Sequence, residues 1–271
     1  MSQTGFQTEN NPCKAAAQDI FGGLRQWRLW SALAREDIRS RYMRSFIGIS
    51  WVTISFAIFV AVKILIFTPM SETNVSFFAP YVAIGFFAWT FMNSVIVDGC
   101  VAFIGAASWI KGARMPLSIY AYQSIMRNLF LTIFNFIVVI GVMVLSKRSV
   151  PMVGLVAIPV FLLYIVNAAW IHILFSTIAA RYRDFMHMTQ TIMRVMFFLT
   201  PIFWLPENMG GMMKILNYNP LAHFIYALRD PILYGTVPMT SIWIVIATTI
   251  IGCLLAYLAM VYGRRKIVFW L

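Results

Sequence analysis

The stretch EDIRSRYMRSFIGISW, residues 36–51, places basic residues directly before a run of apolar ones. Four arginines lie in it or just before it: Arg35, Arg39, Arg41 and Arg44. A solubilising loop is the simpler explanation of this charge. The other is a membrane boundary, because Lys and Arg concentrate at the cytoplasmic ends of transmembrane helices. The rest of the sequence decides between the two.

The composition favours the membrane boundary. The 271 residues are 61% hydrophobic and 11% charged, whereas soluble domains are about 45–50% apolar and about 25% charged. A transmembrane helix needs about 20 mostly apolar residues. We therefore expect an all-α integral membrane protein with six transmembrane helices, at residues 46–67, 78–103, 118–145, 153–180, 188–205 and 240–262.

The distribution of Lys and Arg predicts the orientation. With the N-terminus inside, the inner segments carry 14 of the 21 basic residues, the outer segments carry 4, and three fall within spans. This follows the positive-inside rule and places both termini in the cytoplasm. The net charge of +12 is then explained by topology, and we expect no nucleic-acid partner. The polar first 20 residues predict no cleavable signal peptide.

The sequence predicts no chemistry of its own. It lacks the GxxxxGK[ST] phosphate loop, and its three histidines and three cysteines are scattered without metal-ligand spacing. We therefore expect no catalytic residue, no metal and no cofactor bound by this chain. Uphill transport would need a partner or an ion gradient. An ion-coupled carrier of a small amphiphile would depend on Asp98, the one clear acid within a span.

Four motifs occur in a characteristic order: EDIRSRYMRSFIGISW, RYRDF at 181–185, FFLTPIFWLPENM at 197–209 and NPLAHFIYALRDPILYG at 219–235. In this order, over about residues 30–265, the chain resembles the permease subunits of type-2 ATP-binding-cassette exporters, above all those that export O-antigen, capsule or teichoic-acid polymers. The resemblance implies the type-2 ABC exporter fold and a place in the bacterial inner membrane. It also implies a homodimer with two copies of a separate nucleotide-binding ATPase subunit, which holds ATP and Mg.

The cargo implied by the resemblance is a lipid-linked polysaccharide. A drug or a small lipid is the alternative within the same family. We divide the chain into a cytoplasmic segment 1–45 with an amphipathic interface helix, a six-span domain 46–262, and a cytoplasmic tail 263–271. Within the six-span domain, residues 206–238 contain many prolines and apolar residues. They predict two short re-entrant helices, at 208–217 and 220–233.

Coupling to the ATPase is expected at the cytoplasmic face. Residues 24–44 have the pattern of one amphipathic basic helix, which would lie among membrane lipid headgroups and meet the ATPase; a passive membrane anchor is the alternative. By resemblance the RYRDF turn is the main coupling element, and the loop 109–116 is weighted less. Asp184 beside Arg183 predicts an ion-paired dock. The proposed coupling residues are Arg181, Tyr182, Arg183, Asp184, Arg35, Arg39 and Arg41.

Aromatic residues of the first and fifth spans predict the substrate channel, since sugars stack on aromatic rings. Ordinary helix packing or an interfacial aromatic belt is the alternative. The candidate channel residues are Trp51, Phe56, Phe59, Phe197, Phe198 and Trp204. By resemblance the re-entrant segment forms an outer gate, with Asn219, Pro220 and Arg229 as its candidate residues. A buried structural cap is the alternative for that segment.

Overall fold

The computed structural model describes residues 11–43, 46–69, 71, 73–113, 115–206 and 213–271, without the side chains of 213–215. Every regular element in these residues is helical, which agrees with the predicted all-α fold. A 3₁₀ turn, Met152–Val156, precedes α7. The α-helices are α1 (Pro12–Arg25), α2 (Trp27–Tyr42), α3 (Ser50–Phe67), α4 (Val75–Gly105), α5 (Ala107–Gly112), α6 (Ser118–Leu145), α7 (Ala157–Arg181), α8 (Asp184–Leu199), α9 (Met213–Tyr218), α10 (Pro220–Leu233) and α11 (Met239–Trp270).

Five helical segments of the described chain are long and apolar enough to cross a membrane: Ser50–Phe67, Val75–Gly112, Ser118–Leu145, Met152–Arg181 and Met239–Trp270. They coincide with the predicted spans one to four and six. The predicted fifth span, 188–205, corresponds to α8, which has 16 residues. At 1.5 Å per residue α8 is about 24 Å long, shorter than the roughly 30 Å hydrocarbon core. The sixth crossing therefore stays a prediction.

Helix α4 forms the centre of the bundle. It contacts α3, α6, α7, α8 and α10, and most of its N-terminal half is buried, including Phe78, Tyr81 and Ile84. Small residues such as Ala83 and Ala88 let the surrounding helices approach its backbone. The functional regions described below therefore lie around α4, at its two ends and along its exposed neighbours α3 and α8.

The predicted single helix over 24–44 is wrong: the chain forms two helices, α1 and α2, which meet at Gln26. The backbone of Gln26 leaves the helical conformation, and its N–H bonds the Gly23 carbonyl at 3.1 Å. A side chain at Gly23 would lie 2.0 Å from Ser118 Oγ. Glycine therefore allows α1 to touch the start of α6, and its weak helix propensity favours the break nearby. The periodicity of the apolar residues did not reveal this contact.

The final helix also differs from the expectation, since α11 continues through the predicted tail 263–271 to Trp270. Its end is packed against α7, where a side chain at Gly263 would lie 2.8 Å from Thr177 Cγ2. In the region 206–238, α10 spans Pro220–Leu233, as predicted for the second short helix. Of the first short helix, predicted at 208–217, residues 208–212 lie outside the described chain, and residues 213–217 belong to α9. Their depth in a membrane stays a prediction.

Candidate transport pathway and coupling surface

Asp19 of α1 joins three helices at one end of the bundle. We call this the basic end; it contains α1, α2, the starts of α6 and α8, and the ends of α7 and α11. The carboxylate of Asp19 accepts hydrogen bonds from the N–H groups of Leu117 at 3.2 Å and Ser118 at 3.0 Å. Arg264 Nε donates to it at 2.8 Å. A carboxylate is favourable at a helix N-terminus, whose first N–H groups have no partner within the helix. The buried Asp19 therefore fixes α1 to α6 and α11.

Asp37 ties α2 to the bundle in the same manner. Arg127 of α6 donates to Asp37 at 2.5 Å and to Asp98 of α4 at 2.9 Å, and Arg41 donates to Asp37 at 3.1 Å. Burial acts to raise the pKa of Asp37, but hydrogen bonds from Arg127 and Arg41 outweigh it and hold that pKa below its ordinary value. One arginine thus links α2, α4 and α6.

Asp19 of α1 and Asp37 of α2 face the bundle, whereas Glu36 and the arginines of α2 are exposed. Arg35, Arg39 and Arg41 are all exposed on α2, so these predicted coupling residues are accessible to a partner; Arg44 lies outside the described residues. The sequence analysis missed Asp19 and Asp37. A signal was present, because both are acids within a basic segment of a chain that has only 9 acids in all.

The RYRDF turn is packed against the end of α11. The guanidinium of Arg181 lies 5.2 Å from the ring centroid of Trp270, and its Nε donates to Tyr182 Oη at 3.0 Å. Arg183 donates to the carbonyl of Leu271 at 3.2 Å. Asp184 makes no ion pair with any residue that the structure describes, and the predicted ion-paired dock on a partner stays a prediction. Asp184 occupies the first turn of α8, where a negative charge favours the helix.

The other loop, 109–116, forms the short helix α5 and an extended turn. Trp109 is 61% exposed on α5, and Lys111 beside it is also exposed. Arg114 lies outside the described residues. Together with the RYRDF turn and α2, this loop gives the basic end an accessible surface that combines cations and aromatic rings.

The six candidate channel residues divide into two groups. Trp51, Phe59 and Phe198 are more than half exposed, at 54%, 58% and 66%. Phe56 is buried against Phe86, with ring centroids 5.2 Å apart, so it belongs to the core.

The remaining two, Phe197 and Trp204, are partly buried. Phe197 lies 5.5 Å from the ring of Trp89, and Trp204 donates its indole N–H to the carbonyl of Phe198 at 3.2 Å. Only the three exposed residues of the six therefore present most of their ring area to whatever lies beside α3 and α8.

Two cations lie on the same side of the bundle as these rings. Lys63 Nζ of α3 lies 5.0 Å from the ring centroid of Phe197 and 4.3 Å from that of Phe203, which brings α3 beside α8. Arg194 is exposed on α8, about 15 Å from the start of that helix. Neither forms an ion pair within the described part of the chain. Charged groups in membrane segments ordinarily face a polar cavity or a protein partner rather than lipid.

At the opposite end of the bundle, Arg229 of α10 is 1% exposed. Its guanidinium carbon lies 3.7 Å from the ring centroid of Tyr81, and Nη1 donates to the carbonyl of Pro201 at 2.8 Å. Gly85 makes room for it, because a side chain there would lie 3.3 Å from Arg229 Nη1. The guanidinium thus joins α10, α4 and the segment after α8. Sequence reasoning selected Arg229 but not Tyr81 or Gly85.

Asn219 and Pro220 define the start of α10. The Asn219 side chain accepts from the N–H of Leu221 at 3.0 Å, and its amide donates to Thr200 Oγ1 at 3.0 Å. Pro220 occupies the first turn, where its missing N–H has no cost. Asn219 and Arg229 therefore connect α10 to the segment that follows α8, and Pro220 begins the helix.

The residues that an ion-coupled carrier would need are engaged in structural contacts. Asp98 is bound by Arg127. His172 is buried, with its ring nitrogens 2.9 Å from the Ala168 carbonyl and 3.1 Å from Ser124 Oγ. In the described chain no group of three or more His, Cys, Asp or Glu side chains could hold a metal ion. The arrangement disfavours Asp98 as a free proton acceptor.

Comparisons with known proteins agree with this architecture. The family model of the ABC-2 type transporter matches residues 28–233. The O-antigen export system permease protein RfbA of Klebsiella pneumoniae is 26% identical over 225 residues, which cover 81% of this chain and 85% of that protein. The RfbA protein of Myxococcus xanthus is 22% identical over 186 residues, 67% of this chain and 70% of that protein. The chain therefore belongs to the ABC-2 type transporter family, as a membrane transport subunit whose ATPase is a separate subunit.

Proposed function

We propose that this chain is the permease of an ATP-driven exporter that moves a lipid-linked polysaccharide of the O-antigen type across the bacterial inner membrane. The names of the matched relatives support the cargo, and they favour it over a drug or a small lipid. The basic end faces the cytoplasm together with both termini. The lipid-linked polymer enters from that side and leaves beside α10.

The observation that carries the proposal is the exposed face of α8. Arg194 and Phe198 lie four residues apart and are both exposed, so one helix face carries an unpaired cation and an aromatic ring. Lipid tails cannot solvate a guanidinium. Aromatic rings and hydrogen-bond donors are, in contrast, suited to a sugar polymer with charged phosphate at its lipid end. The face therefore lines a polar pathway.

A homodimer completes this pathway. The exposed aromatic residues of α3 and the exposed face of α8 lie on neighbouring helices, as the contact of Lys63 with Phe197 indicates. Two copies that face each other across these helices enclose one channel. In this arrangement α8 and the residues after it, to 205, form the short sixth crossing, and α9 and α10 enter the outer leaflet as the gate. The shortness of α8 supports this, because the cap residue of α10 bonds its last residue: the Asn219 amide donates to the Leu199 carbonyl at 3.3 Å.

Coupling passes through the basic end. Two copies of the ATPase subunit, each with ATP and Mg, dock on the RYRDF turn and on the arginines of α2. Movement of α2 reaches α4 and α6 through Asp37, Arg127 and Asp98. Movement of the turn reaches α11 through the contacts of Arg181 with Trp270 and of Arg183 with Leu271.

The test is complementation of a strain that lacks this gene. We expect Arg194→Ala and Phe198→Ala to lower surface polymer at least severalfold, with lipid-linked polymer accumulating inside. Ile250→Ala is the matched control, because Ile250 is 65% exposed on α11, away from α8. Affinity purification in mild detergent should recover the ATPase at one copy per permease. Surface polymer at the control level in both variants would refute the pathway, and a chain that purifies alone would refute the partner.

A further inference from the structure

A groove of about 770 Å³ opens on another side of the bundle. Its walls come from α4, α6, α7 and α10, with residues of the turn between α6 and α7, and none of its lining residues belongs to α3 or α8. The groove is thus separate from the proposed pathway. Several of its lining side chains, among them Val144, Ile158 and Leu162, are more than half exposed, so the groove opens toward the membrane.

The length and direction of the groove match those of a lipid acyl chain. It is lined along α6 from Leu129 to Val144, and these 15 steps correspond to about 22 Å. The hydrocarbon core is about 30 Å thick, so the groove extends through more than the depth of one leaflet. Among the lining residues that the structure describes, only Thr132 and Arg148 have polar side chains. An apolar chain that lies along the membrane normal matches both features.

The single charge lies at the mouth of the groove. Arg148 donates one hydrogen bond, from Nη2 to the carbonyl of Leu233 at 3.2 Å, and its guanidinium lies 4.8 Å from the ring centroid of Phe77. A guanidinium has five N–H donors, so most of them are available. No carboxylate of the described residues forms an ion pair with Arg148.

The backbone holds Arg148 in this position. The N–H of Arg148 bonds the carbonyl of Met143, and that of Lys147 bonds the carbonyl of Val144, at 3.4 and 3.0 Å. This is the Schellman arrangement that ends many helices, with a left-handed residue that is usually glycine. Here it is Lys147, with φ of 51°. The turn directs the chain from α6 back across the mouth of the groove.

We propose that this groove binds an anionic phospholipid, with one acyl chain along α6 and its phosphate on Arg148. A zwitterionic lipid such as phosphatidylcholine also fills the apolar part, but its own ammonium offsets the phosphate charge, so it compensates the guanidinium less than an anionic lipid does. Leu228 and Ile232 of α10 also line the groove, so the bound lipid contacts α10 and α6 together and stabilises their present arrangement. The inference rests on the groove and its charge, and it is independent of the cargo.

The first experiment compares the two neighbouring cations. The purified permease–ATPase complex is titrated with phosphatidylglycerol and with phosphatidylcholine of the same acyl chains, and bound lipid is counted by native mass spectrometry. We expect about a tenfold preference for phosphatidylglycerol. Arg148→Gln removes the preference. Lys147→Gln, which removes an adjacent charge that does not line the groove, retains it. Equal losses in both variants would show non-specific attraction to surface charge and overturn the site.

The second experiment fills the groove. Leu162→Trp and Ile158→Trp add rings at exposed lining positions, so folding should be retained, and each should abolish tight retention of phosphatidylglycerol. Ile250→Trp adds the same ring to an exposed position of α11 outside the groove and should have no effect. Retention at the wild-type level in both groove variants would overturn the proposal. So would a disulfide between two copies through Leu162→Cys, because the groove would then be a protein interface.

Discussion

Each end of the bundle holds an arginine that bonds neighbouring helices, Arg127 partly buried and Arg229 fully buried, but the neighbours of these arginines differ in charge. At the basic end, Arg127 is bound by the carboxylates of Asp37 and Asp98 at 2.5 and 2.9 Å. At the opposite end, Arg229 contacts the ring of Tyr81 and the carbonyl of Pro201. Among the described residues, the nearest carboxylate oxygen belongs to Asp230 and lies 3.8 Å from Arg229 Nε, too far for a hydrogen bond.

This difference indicates which end can rearrange. Arg229 makes a charge-assisted hydrogen bond to the carbonyl of Pro201. At the basic end both partners of such bonds are ionised, and the bonds are arranged in two clusters that join α1 and α2 to α4, α6 and α11. At the opposite end, Arg229 Nε is buried and has no hydrogen-bond partner in the described chain. We therefore expect the basic end to move as a unit with the ATPase, and α10 to be the element that changes position.

The largest effect is expected from Arg127→Gln. This change leaves Asp37 and Asp98 without their cation, and removing one partner of a buried ion pair costs about 3–5 kcal/mol. Because Asp98 is 35% exposed, we expect the lower value, a loss of about 3 kcal/mol in the free energy of unfolding. This loss should appear as a lower thermal unfolding midpoint of the purified protein. Arg41→Gln is the control, since Arg41 is 58% exposed and should contribute less than about 1 kcal/mol. Similar midpoints for the two variants would contradict the comparison.

A smaller effect is expected from Gly85→Ala at the opposite end. The added Cβ would lie 3.1 Å from the Ile202 carbonyl and 3.3 Å from Arg229 Nη1, and overpacking of this kind costs about 1–2 kcal/mol. We expect reduced surface polymer together with a lower unfolding midpoint. Gly141→Ala in α6 is the control, because nothing lies within 4 Å of its Cβ position; it should be neutral or slightly stabilising. Full export by Gly85→Ala would show that Arg229 tolerates displacement.

Helices α1 and α10 both begin with Asn-Pro, and they lie at opposite ends of the bundle, so their caps can be compared directly. Asn219 caps α10 and Asn11 caps α1, each by accepting a backbone N–H two residues later. Loss of such a cap costs about 1 kcal/mol. Asn219→Ala should lower export, because the buried amide also bonds Thr200, whereas Asn11→Ala at an exposed helix end should leave export unchanged. If Asn11→Ala lowered export and Asn219→Ala did not, the assignment of the gate to α10 would be contradicted.

The smallest effect concerns pH. The pKa of Asp37 is lowered in the folded protein from its ordinary value of 3.8, so the folded state binds fewer protons there than the unfolded state does. The resulting stability is present above pH 3.8 and is lost as the pH falls through the folded pKa. The difference in unfolding midpoint between wild type and Asp37→Asn should therefore shrink below pH 3.8. A difference in midpoint that stays constant at lower pH would show that the charge of Asp37 does not contribute to stability.

Sequence patterns predicted what depends on local chemistry. The prolines and apolar residues of 206–238 predicted the helix that the structure places at α10, and the apolar runs located five spans. Arg127 was recognised only as a charge within a span, because its partner Asp37 lies 90 residues away in the chain. The break at Gln26 likewise depends on the contact between Gly23 and Ser118. Long-range contacts of this kind have no local signature in one sequence.

One measurement tests most directly whether the basic end stays closed while α10 moves. Ala34 of α2 and Ala222 of α10 are equally buried, at 1% and 0% exposed. Each is replaced by Cys in a chain without Cys13, Cys100 and Cys253, and labelling by a water-soluble maleimide is followed in the permease–ATPase complex with and without ATP. We predict that ATP turnover raises labelling at position 222 severalfold and leaves position 34 protected. Labelling that rises at position 34 alone, or at neither position, would contradict the account.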